Sequence, residues 1–160
     1  MFHKYCYLSP LGPIHIETNN EAITKLTFIS KTFSNDIKTP LFQKICTQLD
    51  EYFNGTRHTF ETLQLKPTGT PFQQTVWKEL LNIPYGQTCC YQAIALAIHR
   101  PKAARAAGQA IHCNPIAILI PCHRVIGKSG YLTGYAAGLQ RKAYLLQLEK
   151  MHKIITKTSE

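Results

Sequence analysis

Thr70-Pro71-Phe72-Gln73 begins the stretch whose reading decides the fold, and it continues through Val76-Trp77, Leu80-Leu81 and Pro84-Tyr85-Gly86. A threonine hydroxyl, a proline in the first turn and a glutamine three residues after the threonine together satisfy the unpaired N–H groups of a helix start. Phe72, Val76 and Leu80 then recur at helical spacing, with Trp77 and Leu81 beside them, and Pro84 to Gly86 ends the run. A second helix is expected over Tyr91 to Ile98 and a third from Pro101 to about Ile111. Two short helices joined by a tight turn are the pattern of a helix-turn-helix.

The third of these helices, Pro101-Lys102-Ala103-Ala104-Arg105-Ala106-Ala107-Gly108-Gln109-Ala110, carries hardly any side chain beyond a methyl group except Lys102, Arg105 and Gln109. Such a helix either packs tightly against its neighbours or lies in a nucleic-acid groove with Arg105 projecting from it. Both readings stay open on this segment alone, because alanine is also the strongest helix former.

Toward the N-terminus the texture changes. Lys4 to Leu8, Ile14 to Glu17 and Ile23 to Ile29 are short β-rich pieces separated by turn residues, among them Pro10-Leu11-Gly12-Pro13. They predict a small antiparallel sheet. Leu41, Ile45, Leu49 and Phe53 follow at intervals of four and predict a core helix over Pro40 to Phe53, ended by Gly55. The polar, threonine-rich stretch before Gly69 places a boundary between a domain over 1–69 and a second over 70–160.

Toward the C-terminus, Asn114-Pro115 interrupts the chain before Ile116-Ala117-Ile118-Leu119-Ile120, an apolar run expected to form a buried strand. It leads into Pro121-Cys122-His123-Arg124-Val125. A cysteine beside a histidine and an arginine has the surroundings that lower a thiol pKa and make a thiolate nucleophile available. Sequence neighbours rarely point at one another, so the dipeptide alone carries little weight. His112-Cys113 and Cys122-His123 lack the spacing of a structural zinc site, and no metal is expected.

Composition narrows the classes. The chain has 160 residues, 44% of them hydrophobic, which is enough for a packed core. Neither a membrane-length apolar run nor an export signal is evident, so a cytoplasmic protein with its six cysteines reduced is expected. Residues 1–83 carry eight Lys or Arg against seven Asp or Glu, whereas residues 84–160 carry ten against two, so nearly all of the net +9 lies on the second half. A concentrated positive field favours a polyanion. No glycine-rich phosphate or dinucleotide loop is present and no cofactor is implied.

From Thr70 to Glu149 the chain resembles the methylated-DNA-protein-cysteine methyltransferases, the O6-alkylguanine-DNA alkyltransferases. The resemblance is carried by Thr70-Pro-Phe-Gln73, Val76-Trp77, Ile83-Pro-Tyr-Gly86, Tyr91, Arg105-Ala-Ala-Gly-Gln109, Asn114-Pro115, Ile120-Pro-Cys-His-Arg-Val-Ile-Gly127, Gly134-Tyr135, Gly138-Leu139 and Glu149. It implies an α+β chain with an N-terminal ribonuclease-H-like αβ domain and a C-terminal helical winged-helix domain. The implied reaction is irreversible, stoichiometric transfer of an alkyl group from O6-alkylguanine in double-stranded DNA, with O4-alkylthymine as a further substrate left open, by a monomer. The acceptor would be Cys122, His123 its base, Glu149 the orienter of the imidazole, Tyr91 a donor to N3 of the extruded guanine and Asn114 a brace for the active-site turn. Ala103, Ala104, Ala107 and Gly108 would allow close backbone approach to the minor groove while Arg105 fills the place of the flipped nucleotide. Pro121, main-chain groups of Cys122 and Val125, and the loop Tyr135, Ala136, Ala137 and Gly138 would hold the purine.

Three positions depart from the family pattern. Cys90 stands where serine is usual, which removes a helix cap; Ala137 replaces a frequent glycine, which predicts poorer fit of bulky alkyl groups; and Cys113 precedes Asn114 with no physical account. Two other classes compete. A damage-binding module that does not react would lack Cys122, and a thiol hydrolase would need neither the alanine-rich helix nor the one-sided charge.

Overall fold

The computed structural model describes residues 2–36 and 38–158, the last five of them by backbone alone. The chain divides into two compact units, Met1–Thr68 and Gly69–Glu160.

In the first unit β1 (His3–Ser9), β2 (Gly12–Thr18) and β3 (Ile23–Phe28) form an antiparallel sheet in the order β1-β2-β3. Alternation in β2 puts Ile14 and Ile16 on one face, where both are fully buried together with Ile23 and Leu26 of β3. Helix α1 (Pro40–Phe53) covers that layer, its N-terminus capped by the Thr39 hydroxyl. Its buried stripe runs through Phe42, Ile45, Leu49 and Tyr52, so the interior line is rotated from the one expected through Leu41. Phe42 rather than Leu41 turns inward because its ring stacks on Tyr5 at 4.7 Å between centroids.

In the second unit the expected capping box is present: Thr70 Oγ1 accepts from the Gln73 N–H and the Gln73 side chain accepts from the Thr70 N–H, opening α2 (Pro71–Leu80). A two-residue parallel pair follows, β4 (Cys89–Cys90) with β5 (Val125–Ile126), registered Cys89 to Val125 and Cys90 to Ile126. Helix α3 (Tyr91–Ala97) and helix α4 (Ala104–His112) are the two short helices of the helix-turn-helix. Cys90 sits at the α3 N-cap and makes no side-chain cap bond, as a thiol in place of a hydroxyl predicts. Trp77 ties α2 to α4, its indole N–H donating to the Ala110 carbonyl at 2.8 Å. Helix α5 (Leu139–Thr158) closes the unit.

Two expectations are corrected. Helix α4 starts at Ala104 instead of Pro101, because Ala103 N–H is turned back onto the Arg100 carbonyl and Gln92 donates to the Pro101 carbonyl, which draws 101–103 into a turn. The run Ile116 to Ile120 is buried but is a turn, not a strand. Asn114 causes this: its Nδ2 donates to the carbonyls of Ile116 and Ile120 at 3.2 and 2.9 Å, while its Oδ1 accepts from the Ile116 N–H at 3.0 Å, curling the backbone around one carboxamide. Ile118 consequently takes φ of 69°, a conformation that a β-branched residue adopts only under constraint. Helix α5 takes in the basic segment from Met151 and runs to Thr158, and residues 159–160 lie outside the described residues.

Candidate active site and nucleic-acid interface

The Asn114 turn delivers the chain into a single turn of 3-10 helix, Cys122–Arg124, whose three side chains are all buried. Cys122 therefore sits on this turn rather than at a strand end. Its residue exposure is 7%. Burial pushes the thiol above its ordinary range, against the expectation from sequence, although Asn114, the Lys142 charge and the Tyr135 hydroxyl each pull it down. The sulfur is thus a thiol held beside groups that favour its ionised form once a proton acceptor is engaged.

His123 points away from its neighbour. Its Nε2 lies 2.6 Å from Glu149 Oε2, and both residues have no exposed surface. Nδ1 is buried with no hydrogen-bond partner among the described residues. Burial lowers the imidazole pKa, opposed by Glu149, so the ring rests neutral near pH 7. For Glu149 burial acts upward but is outweighed by His123 and Arg124, which hold the carboxyl well below the usual carboxylate range. Arg124 does this with a two-pronged contact, Nε to Oε1 at 2.8 Å and Nη2 to Oε2 at 3.1 Å, and its Nη1 donates to the Ile83 carbonyl at 2.7 Å. The Gly86 N–H adds a donor to Oε1 at 3.2 Å. Gly86 has φ of 77°, and a Cβ there would meet Lys153 side-chain carbons at 2.5 Å, so only glycine brings this N–H onto the carboxylate.

Lys142 was not anticipated. It is fully buried, and its ammonium donates to the carbonyls of Val125 at 2.6 Å and Thr133 at 2.7 Å, with Gly134 at 3.5 Å. It pins the loop after Cys122 and supplies positive charge near the sulfur. Burial lowers its pKa, partly offset by Cys122. Its signal in the sequence was spacing: Lys142, Leu145 and Glu149 share the inward face of α5, a pattern that charged residues follow only when partnered inside.

Beside this cluster opens a cleft of about 700 Å³ lined by residues of α3, α4 and the loop after β5, among them Tyr91, Ala104, Arg105, Gly108, Cys113 and Thr133. Tyr91, Ala104, Arg105 and Gly108 are brought together as the sequence led one to expect. Ala107 is not: it is fully buried and packs inward, because it falls on the α4 face shared with Ala110 and Ile111. Ala103 precedes the helix as its N-cap. Cys113 ends α4, exposed, on the wall of the cleft. Cys122 is not among the lining residues, and neither are Pro121, Val125 or the loop Tyr135 to Gly138. The Val125 N–H donates to the Cys122 carbonyl and its carbonyl accepts from Lys142, so both main-chain groups are already engaged within the fold.

A helix-turn-helix unit with Arg105 at its cleft, on a strongly basic half-chain, and an interior cysteine set next to a histidine-carboxylate-arginine network defines a DNA-associated thiol protein. The model of the 6-O-methylguanine DNA methyltransferase DNA binding domain matches residues 71–151, and that of the ribonuclease-like domain of the same family matches residues 2–67. The chain belongs to this family. It is 43% identical over 157 residues to the methylated-DNA–protein-cysteine methyltransferase of Haemophilus influenzae, covering 94% of this chain and 87% of that one. The crystal structure of Mycobacterium tuberculosis O6-methylguanine methyltransferase superposes with a TM-score of 0.86 at 44% identity, over 95% of this chain and 94% of that one. The M. tuberculosis protein called OGT, in complex with DNA, superposes with a TM-score of 0.83 at 44% identity, over 94% and 93% of the two chains. The ribonuclease-like first domain and the DNA-binding second domain agree with the α+β architecture expected from the sequence.

Proposed function

We propose that this chain repairs DNA by moving the alkyl group of O6-alkylguanine onto Sγ of its own Cys122, once and irreversibly. The observation that supports this most directly is the set of groups converging on that sulfur: Asn114, Tyr135 and Lys142 around it, with His123, Glu149 and Arg124 on the same short turn and the helix packed beside it.

The alkyl carbon of the lesion lies inside the duplex, so the nucleotide must leave the stack before any side chain can reach it in line. Arg105, exposed on α4 at the mouth of the cleft, fills the place left behind, while Ala104 and Gly108 let the helix backbone come close. Unstacking costs a few kcal/mol, least for a lesion that pairs badly, and that difference contributes selectivity.

In the chemical step Sγ attacks the alkyl carbon, the carbon–O6 bond breaks, and its electron pair returns to the purine. The thiol proton passes to His123 through one water that bridges from Nδ1, the imidazole nitrogen not engaged with Glu149. The anionic Glu149 steadies the imidazolium that forms, and Arg124 keeps Glu149 anionic. Tyr91 donates its phenolic proton toward N3 of the departing guanine. The product thioether does not ionise and is a poor leaving group, so each molecule acts once. The protein works as a monomer on duplex DNA without a cofactor. Among the described residues no helix is long and apolar enough to cross a membrane.

Incubation with a duplex containing O6-methylguanine, followed by peptide mapping, tests this. One methyl group per chain on Cys122, absent from Cys122→Ser, is expected. Tight binding to the lesion with no modified peptide would leave a damage-recognition protein instead, and methylation of Cys113 would move the acceptor to the cleft wall.

A further inference from the structure

The Tyr91 hydroxyl lies 3.0 Å from Oγ1 of Thr133 and 3.4 Å from the Thr133 carbonyl oxygen. The second distance is long for a hydroxyl donor, whose bonds cluster near about 2.7–2.8 Å. That carbonyl already accepts from the Lys142 ammonium at 2.7 Å, so it loses little if the phenol turns away.

Thr133 itself is held in place from two sides. Lys142 fixes its main chain, and its Cγ2 methyl lies 3.3 Å from where a Cβ on Gly127 would stand, so it packs on the bare Cα of that glycine. With the methyl so placed, the hydroxyl faces Tyr91. Both residues line the same cleft.

We propose that Thr133 is a positioning residue for alkyl transfer, its hydroxyl donating to the phenolic oxygen of Tyr91 so that the phenol keeps its own proton for the extruded purine. If Tyr91 instead donated to Oγ1, its one proton would be spent before the base arrived. A donor on the phenolic oxygen also polarises the O–H bond that points at the base, since hydrogen bonds in series strengthen one another. The inference rests on the role given to Tyr91 above and adds what aims it.

The test is single-turnover methyl transfer at saturating duplex, with DNA affinity measured separately, for wild type, Thr133→Val, Thr133→Ser, Tyr91→Phe and the Thr133→Val/Tyr91→Phe double variant. Thr133 is exposed, and valine keeps its shape while removing the hydroxyl. Thr133→Val is expected to slow transfer about five- to tenfold, the effect of one hydrogen bond felt in the transition state, while binding DNA within about twofold of wild type. Thr133→Ser should return to within about twofold of wild type, and Thr133→Val should add nothing in the Tyr91→Phe background. Transfer by Thr133→Val at the wild-type rate or faster overturns the proposal, as does an equal loss with and without the Tyr91 hydroxyl. Failure of the wild type to alkylate Cys122 would sink the functional reading itself, whereas normal wild-type transfer with an indifferent Thr133→Val sinks only the role of Thr133.

Discussion

At the scale of single residues, the site is governed by how few buried charges it leaves uncompensated. Glu149 meets His123, Arg124 and the Gly86 N–H at once, so its removal strands a buried guanidinium. Glu149→Ala is expected to cost about 3–5 kcal/mol in urea unfolding, because breaking a buried pair leaves the partner charge without a counterion. A loss under 1 kcal/mol would mean that Arg124 finds water instead. Ala137 is a second test at this scale. Its carbonyl accepts from Arg141 at 3.0 Å. Ala137→Gly is expected to raise the rate on O6-benzylguanine relative to O6-methylguanine, and an unchanged ratio of the two rates would remove Ala137 from the selectivity argument.

At the scale of elements, local rules and functional demands separate between the helices of the second unit. The Thr70 cap belongs to the local rules: Thr70→Ala should lower stability by about 1 kcal/mol with little effect on transfer, measured by denaturation and single-turnover assays side by side. Gly108 lines the cleft, where the proposed role is functional. A Cβ there would touch the Tyr91 ring at 3.4 Å, an ordinary contact, so Gly108→Ala should keep or gain stability, by up to about 1 kcal/mol from helix propensity. The same methyl occupies the cleft wall, and DNA binding by fluorescence anisotropy is expected to weaken. Unchanged affinity would place the DNA elsewhere.

For the molecule as a whole, charge and protonation set the working conditions. Ten cationic side chains against two acidic ones over residues 84–160 predict DNA affinity that falls steeply with salt, by the linear log–log law of counterion release. Because burial holds the Cys122 thiol above its ordinary range, its thiolate fraction grows with pH, and the transfer rate should climb between pH 7 and 9. A flat profile over that range would mean the thiolate is already formed at neutrality. Stability runs in a defined direction too. His123 has its pKa lowered by folding from 6.5, so the unfolded chain binds the extra proton first and stability declines as pH drops below about 6.5. Glu149, also lowered, adds a further loss once pH falls below the ordinary carboxylate range near 4.5. Thermal melts from pH 8 down to 4 check both signs; a midpoint that rises on acidification would contradict them.

The capping box at Thr70, the three strands, the helix from Pro40 and the pair of short helices were all legible in the chain, because each is decided by neighbours within one or two turns. So was the motif around Cys122, whose residue types carry their chemistry wherever they fold. What sequence could not decide was direction. That Asn114 would curl Ile116 to Ile120 into a turn, that Asn114, Tyr135 and Lys142 would surround the sulfur, that Ala107 would turn inward, and that burial would raise the thiol instead of its cationic neighbours lowering it all depend on how the interior packs. Desolvation and side-chain orientation are properties of the packed interior, and they exist only once α5 has closed over the turn that carries Cys122.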